Sequence, residues 1–353
     1  MPDWSASMQQ TFEYYIVDPE TWQDKAIIDN VLSCTVNRDI EAETLGSATI
    51  DIAESLGECY VRAYLITIQN GKREKHALGT FLVQTPSSSF DGKTQDISID
   101  AYTPLLELKE NPPPIGYYVP KDANIMDTAY RLVRENARAP VTKAECDTTV
   151  YYDFVSQTDD TWLTFLSDHI ANAKYRFDLD EMGRILFAPK QDTASLQYIW
   201  TYTDDDVSIL YPTSTMDHDL YKIPNVVEVT YSNGDTYYHA RVVNDDKNSP
   251  ISTVNRGREI IYRDLQPNIV GNPDQNHIQE YAEQLLRELS TLEYTITYTH
   301  GYCPVRVGDC VLFDCKKPEY LRNVKARIIS QSIKCEPGCP VTEKAVFTTK
   351  LWG

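Results

Sequence analysis

The stretch Val61-Arg-Ala-Tyr-Leu-Ile-Thr-Ile-Gln-Asn70-Gly71 decides the fold class. Val61, Ala63 and Leu65 recur at every second position, the period of a strand with one face turned inward. Asn70-Gly71 follows, and this dipeptide tolerates the positive φ values that a two-residue hairpin turn demands, so the chain is expected to return antiparallel. Upstream, Ala48, Ile50 and Ile52 alternate with Thr49 and Asp51. Downstream, Phe81-Leu82-Val83 and the alternation Ile97, Ile99, Ala101 flank a turn at Asp91-Gly92. About five short strands between residues 28 and 102 predict a small barrel or sandwich.

The character changes at Asn111-Pro112-Pro113-Pro114, where three missing backbone donors forbid helix and central strand alike. Beyond it, Ile125, Met126, Ala129, Leu132 and Val133 mark one face of a helix that starts near Asp122 or Asn124. A second helix is expected from Asp159 or Asp160, with Trp162, Phe165, Leu166, Ile170 and Ala173 on its apolar side. Tyr175, Phe177 and Leu179 then pair with Arg184-Ile185-Leu186-Phe187 across a turn at Asp180-Glu181-Met182-Gly183. The rest is again mostly strand. Val227, Val229 and Tyr231 lead into a second hairpin signal at Asn233-Gly234, with Ala240 to Val243 returning. One helix interrupts, with Asn272 as cap and Pro273 as its first residue, and strands resume at 294–298, 305–313, 324–333 and 345–351. The predicted class is α+β, mostly β. A first β-barrel or sandwich domain spans 1–111, an inserted α+β domain 112–195, and a second β domain 196–353 with one additional helix over 273–290. Part of 196–222 is a candidate to return to the first domain.

Among 353 residues, 33 Lys and Arg stand against 52 Asp and Glu, a formal net charge of −19. Such a chain does not hold nucleic acid by neutralising phosphates, nor does an anionic membrane attract it. No apolar run approaches the length of a membrane span, and the start carries no basic segment followed by an apolar one, so a soluble, unexported chain is expected. Tyr outnumbers Phe 24 to 9, which suits strands and wet subunit contacts, because Tyr pairs an apolar body with a polar tip.

Eight cysteines are too few for a disulfide framework in a chain this long, and free thiols in a reducing compartment are the first reading. The alternatives are a zinc site drawing on Cys335, Cys339, Cys303 and Cys315, and a link between Cys335 and Cys339. A second C-x-x-C knuckle is missing, and Cys310 fits the apolar alternation of a strand. His76, His169, His218, His239, His277 and His300 are scattered, and no nucleophile-elbow, zincin, phosphate-loop or dinucleotide motif is present. The acidic clusters Asp159-Asp160, Asp178/Asp180/Glu181 and Asp204-Asp205-Asp206 lack the spacing of an EF-hand and read as a helix start, a hairpin turn and a solvated loop. No catalytic or cofactor-binding residue is assigned, and no cofactor is expected.

Several strings, in order, carry a resemblance: Leu78-Gly-Thr-Phe-Leu-Val83 with Ile97-Ser-Ile-Asp-Ala-Tyr-Thr-Pro-Leu-Leu106; Trp162-Leu-Thr-Phe-Leu166 through Ala173-Lys-Tyr-Arg-Phe177 to Gly183-Arg-Ile-Leu-Phe187; Asn225-Val-Val-Glu-Val-Thr-Tyr231; and Val305-Arg-Val-Gly-Asp-Cys-Val-Leu312. From about residue 25 onward the chain resembles the baseplate or tail-tip hub family of tailed bacteriophages and contractile injection machines, the late control D-like hubs. The resemblance implies two tube-like β domains per chain and a homotrimeric ring presenting six similar modules around a lumen. It also implies contacts with tail-tube and distal tail proteins on one side, and with tip or spike and tape-measure proteins on the other. DNA would pass without being bound, and the chain would be a non-enzymatic virion component assembled in the host bacterial cytoplasm, with no membrane insertion of its own. The rival classes are a receptor- or carbohydrate-binding tail protein and a tail-associated cell-wall hydrolase.

Overall fold

The computed structural model describes residues 2–54, 56–90, 92–93, 95–191, 193, 195–221, 223–232, 236–265, 267 and 273–352. The N-terminal strands are β1 (Gln9–Val17), β2 (Asp24–Ile27), β3 (Val31–Asp39), β4 (Gly46–Ile52), β5 (Tyr60–Gln69), β6 (Lys72–Phe90) and β7 (Gln95–Tyr102). The middle holds α1 (Leu106–Glu110), β8 (Tyr118–Val119), α2 (Ile125–Asn136), β9 (Phe154–Val155), α3 (Trp162–Ala171), β10 (Tyr175–Leu179) and β11 (Ile185–Pro189). Next come β12 (Tyr198–Thr203), β13 (Leu210–His218), β14 (Val226–Ser232), β15 (Tyr237–Val243), α4 (Thr253–Arg256) and β16 (Ile261–Asp264). The chain ends with α5 (Gln275–Leu289), β17 (Thr291–Gly301), β18 (Cys310–Asp314), β19 (Arg322–Lys334) and β20 (Pro340–Lys350). The expected α+β class, mostly β, is what the chain adopts. Among the described residues no helix is long and apolar enough to cross a membrane.

The chain forms two compact units, Met1–Ser214 with Thr297–Ala345, and Thr215–Ile296 with Val346–Gly353. In the larger unit the hairpin that decides the fold class forms as read. Gln69 pairs with Lys72, and Asn70 and Gly71 take φ values of 52° and 76° between them. Strand order in the main sheet is β13-β17-β20-β19-β3-β4-β7-β6-β5-β1-β2, with β12 joined to β18 and β18 to β19. The two β-rich regions therefore share one sheet, through antiparallel pairing of β3 with β19 from Asp39–Ser330 to Thr35–Lys334.

The hydrophobic core of the middle segment is continuous with the N-terminal region. Leu132, Val133, Phe165, Leu166 and Ile170 of its helices belong to one buried cluster with Val17, Trp22, Tyr60 and Leu82 of the first strands. Helix α2 is capped as expected, Asn124 accepting from Asp127 N–H at 2.9 Å. Helix α3 starts later than its acidic pair suggested. Thr161 is the cap and forms a reciprocal capping box with Thr164, while Asp160 braces it from outside by accepting from the Thr164 hydroxyl at 3.3 Å.

In the smaller unit, β15-β14-β16 form a three-stranded sheet. Ile278, Ala282 and Leu286 of α5 pack on Val227, Val229, Ala240 and Val242. The cap of α5 is Asp274, which accepts from His277 N–H, so Pro273 precedes the helix instead of opening it. Asn272 and the Asn233-Gly234 turn lie outside the described residues. Strand pairing expected from Val305 begins only at Cys310, because Asp309 accepts from Arg306 N–H at 2.7 Å and closes a turn over Val307-Gly308.

His218 ends strand β13 and stacks obliquely on Tyr294 at 5.1 Å. Strand β1 had no place in the sequence reading, yet it pairs with β5 along its whole length, Gln9–Ile68 to Val17–Tyr60.

The turn joining β10 to β11 needs glycine at its last position. Gly183 sits at φ +75°, and a Cβ there would lie 2.6 Å from Thr80 Cβ on β6. Gly183→Ala is expected to lower the unfolding free energy by roughly 2 kcal/mol, the sum of left-handed strain and overpacking. Chemical denaturation followed by circular dichroism checks this, and an unchanged midpoint would contradict the close approach.

Candidate functional site

The residues with the densest chemistry lie where β3, β19, β20, β17 and β12 meet. Glu343 stands on the inward register of β20 between Val341 and Ala345, and is 0% exposed. Its carboxylate accepts from three sides: the Tyr298 hydroxyl, Gln331 Nε2 at 2.5 Å and His300 Nε2 at 3.3 Å. His300 follows Ile296 and Tyr298 on the inward register of β17 and is also 0% exposed. Its Nδ1 donates to Gly301 O at 2.7 Å, and Tyr202 of β12 reaches its Nε2 at 3.0 Å. Cys303 Sγ lies 3.6 Å from the Tyr202 hydroxyl and 3.9 Å from His300 Nδ1. Phe313 of β18 closes the cluster, its ring centre 4.8 Å from Tyr298 and 5.5 Å from Tyr202.

Burial of this kind normally strips a histidine of its proton. Here desolvation is opposed and outweighed by the Glu343 carboxylate, with Cys303 adding to it, and the His300 pKa rises to about 10. His300 is thus an imidazolium at neutral pH, paired with a carboxylate in a sealed interior. Cys303, His300 and Glu343 have the composition of a nucleophile triad, but none of the three is more than 1% exposed. The nitrogen nearest the thiol, His300 Nδ1, is already committed to Gly301 O, and the thiol stands 3.9 Å from it. The arrangement holds strands; it does not present a nucleophile to a substrate.

The network continues outward. Gln331 of β19 donates to Val305 O at 3.0 Å and accepts from Arg38 of β3 at 3.1 Å. Arg38 donates also to Leu78 O on β6 at 2.7 Å and lies 3.5 Å from Glu181. Arg306 Nε meets the same Glu181 oxygen at 2.8 Å, and its Nη2 donates to Leu179 O. The acidic cluster at Asp178/Asp180/Glu181 is therefore a hairpin turn, as read, and its glutamate receives one arginine from each β-rich region. The next residue completes the seat: Met182 O accepts from Trp22 Nε1 at 2.7 Å and from Arg62 Nη2 at 3.0 Å. Arg62, 1% exposed in the middle of β5, also binds Asp24 at 2.8 Å and the Thr80 hydroxyl at 2.7 Å.

The four cysteines weighed as zinc ligands are distributed over this region. Cys303 belongs to the His300 cluster, and Cys315 Sγ donates to Tyr202 O at 3.8 Å. Cys335 N–H donates to Cys34 O just beyond β19, and Cys339 is buried in the turn that follows. Among the described residues no group of three His, Cys, Asp or Glu side chains is placed to hold a metal ion. Glu343, Gln331, Arg38 and Arg62 escaped the sequence reading. Their one local signal is a polar side chain on the inward register of a strand.

No family model and no curated protein matches the chain. Solved structures do. The tail protein from Neisseria meningitidis MC58 is similar over 97% of this chain and 98% of its own, with a TM-score of 0.63 and 14% identity. The 43 kDa tail protein of prophage MuSo2 from Shewanella oneidensis is similar over 96% of this chain and 98% of its own, with a TM-score of 0.64 and 11% identity. The fold is that of these tail proteins, over nearly the full length of each chain.

The buried pair sets a pH dependence. A histidine whose folded pKa lies at about 10, against an ordinary 6.5, contributes stability in full below pH 6.5, and that contribution is lost as the pH rises through 10. Stability is expected to fall by a few kcal/mol, in order of magnitude, between pH 6.5 and 10, and His300→Gln should flatten that slope. Urea unfolding of both proteins at a series of pH values tests it. Glu343→Ala, which leaves a buried cation and two donors unpaired, should cost about 3–5 kcal/mol at pH 7, read in the same assay.

Proposed function

We propose that the chain is a structural tail protein, a baseplate or tail-tip hub that assembles as a homotrimeric ring and continues the path of DNA between tail tube and tip. In this reading the strands of 1–111 and those of 196–214 and 297–345 are two tube-like parts of one wall, and 112–195 is an insert seated on it. The observation that carries the proposal is the β3–β19 pairing, which makes the two β-rich regions neighbours in a single sheet within one chain. A wall of alternating modules needs such a lateral joint. Among the described residues β2 and β13 end the main path of that sheet, so it offers edges to adjacent copies. The tail-protein fold over nearly the whole chain supports the same reading.

The net charge of −19 suits a conduit that lets a polyanion pass without holding it. Partners follow from the class: further copies of the chain, tail-tube and distal tail proteins at one end, and spike and tape-measure proteins at the other, in a virion assembled in the host cytoplasm. No side chain is assigned a catalytic role.

Multi-angle light scattering and electron cryo-microscopy of the purified chain, alone and with its tube protein, test the proposal. The expected particle is a ring of three chains with a central opening. A strictly monomeric chain under both conditions, or a closed dimer without an opening, would overturn it.

A further inference from the structure

The β3–β19 pairing carries a second feature at its end. With Thr35 opposite Lys334, the next pair in register is Cys34 opposite Cys335, and Cys335 N–H donates to Cys34 O at 2.9 Å. Residues directly opposite in an antiparallel pair project to the same face, with Cα atoms 4.5–5.5 Å apart, inside the range a disulfide spans. Cys34 is buried and Cys335 half-buried, and both are free thiols. The Cys335 thiol, ahead of burial, is the larger cause that raises the Cys34 pKa well above the ordinary thiol range. The Tyr14 phenol of β1 is raised by burial and then by Cys335 and Cys34.

We propose that Cys34 and Cys335 form a thiol–disulfide modification site that locks the joint between the two β-rich regions when the chain meets a small-molecule disulfide of the glutathione class. The half-buried Cys335 is the entry point. Its thiolate attacks one sulfur of glutathione disulfide, expelling one glutathione thiolate and leaving a mixed disulfide. Cys34 then loses its proton to solvent and attacks Cys335 Sγ, expelling the second glutathione thiolate. Two protein thiols are oxidised, one glutathione disulfide is reduced to two thiols, and the protons released by the cysteines end on them. The link would close a loop of about 300 residues, the long-loop case in which a cross-link restricts the unfolded chain most. The inference rests on thiol chemistry and strand register, and stands apart from the ring proposal.

The test is full-length protein held with excess glutathione disulfide or with dithiothreitol, alkylated, cut with trypsin and examined by mass spectrometry. The expected product is the peptide Ala26–Arg38 joined to Cys335–Lys344. Thiols titratable under denaturant fall by two from eight, and the melting temperature rises by several degrees, all reversed by dithiothreitol. Cys339→Ser should keep the cross-link, and Cys335→Ser should abolish it; Cys335→Ser sits at a half-buried position and is expected to fold. Glutathione persisting as a mixed disulfide, a link confined to Cys335 and Cys339, or no cross-link at all would each overturn the proposal.

Discussion

The structure depends on one buried carboxylate. Glu343 is removed from water completely, which is tolerable only because a hydroxyl, an amide and an imidazolium all donate to it. Those donors come from β17 and β19, so satisfying one charge fixes the positions of the strands on either side of β20. Gln331 passes the constraint on, since one end of its amide is spent on Glu343 and the other accepts from Arg38 of β3. A sheet assembled from residues about 300 apart depends on correct hydrogen-bond register, and register in a β-sheet can slip. A slip at β3–β19 would pull Arg38 off Gln331 and leave a buried amide and, behind it, a buried charge unmatched. Polar specificity here does what apolar packing alone does poorly.

The insert is bound into the same logic. Its apolar helices cannot be lifted away without exposing Val17, Trp22, Tyr60 and Leu82, because these belong to the same cluster. Its β10–β11 turn supplies three successive contacts: Glu181 to Arg38 and Arg306, Met182 O to Trp22 and Arg62, and Gly183 against Thr80. Arg306 lies near the end of the chain and Arg38 and Arg62 near its beginning, so the turn is a keystone between distant segments. Burial opposes the charge on Arg306, and Glu181 with its acidic neighbours restores it. The acidic residues at 178, 180 and 181, which in sequence read only as a hairpin turn, supply counterions for arginines contributed from both sides.

Local structure was legible wherever a residue's own conformational preference decides the outcome. Asn70-Gly71 specified a turn because few other dipeptides accept its φ values, and Asn124 specified a cap because its side chain can reach the third amide of a helix. Thr161 was missed for the acidic pair beside it, since charge at a helix start is favourable over a whole turn whereas the capping hydrogen bond belongs to one residue. Strand β1 was missed because it lies next to the sheet's edge and its two buried residues, Tyr14 and Val17, are three apart, which removes the period-two signal. The site is harder still. A glutamate between Val341 and Ala345 and a histidine after Tyr298 mark inward polar positions, but nothing local says that these two face each other, or that an arginine near residue 38 completes them.

These constraints bear on what the proposed wall would require of each chain. A subunit whose sheet edges pair with copies must not rearrange its own internal joint, because a mobile joint would exchange internal for external pairing and give open-ended aggregates. The chain meets this by placing its strongest polar matching at the internal joint, deep and dry. The visible edges are treated differently: β2 carries Asp24 and Lys25, with Asp24 bound to Arg62 and Lys75. Only three of the nine residues of β13 are shielded from solvent, each of them partly. Internal pairing is thus held by buried charge that is costly to break, while the edge strands carry solvated side chains. In the proposed ring, that ordering would keep the internal joint intact while the edges pair with neighbouring copies.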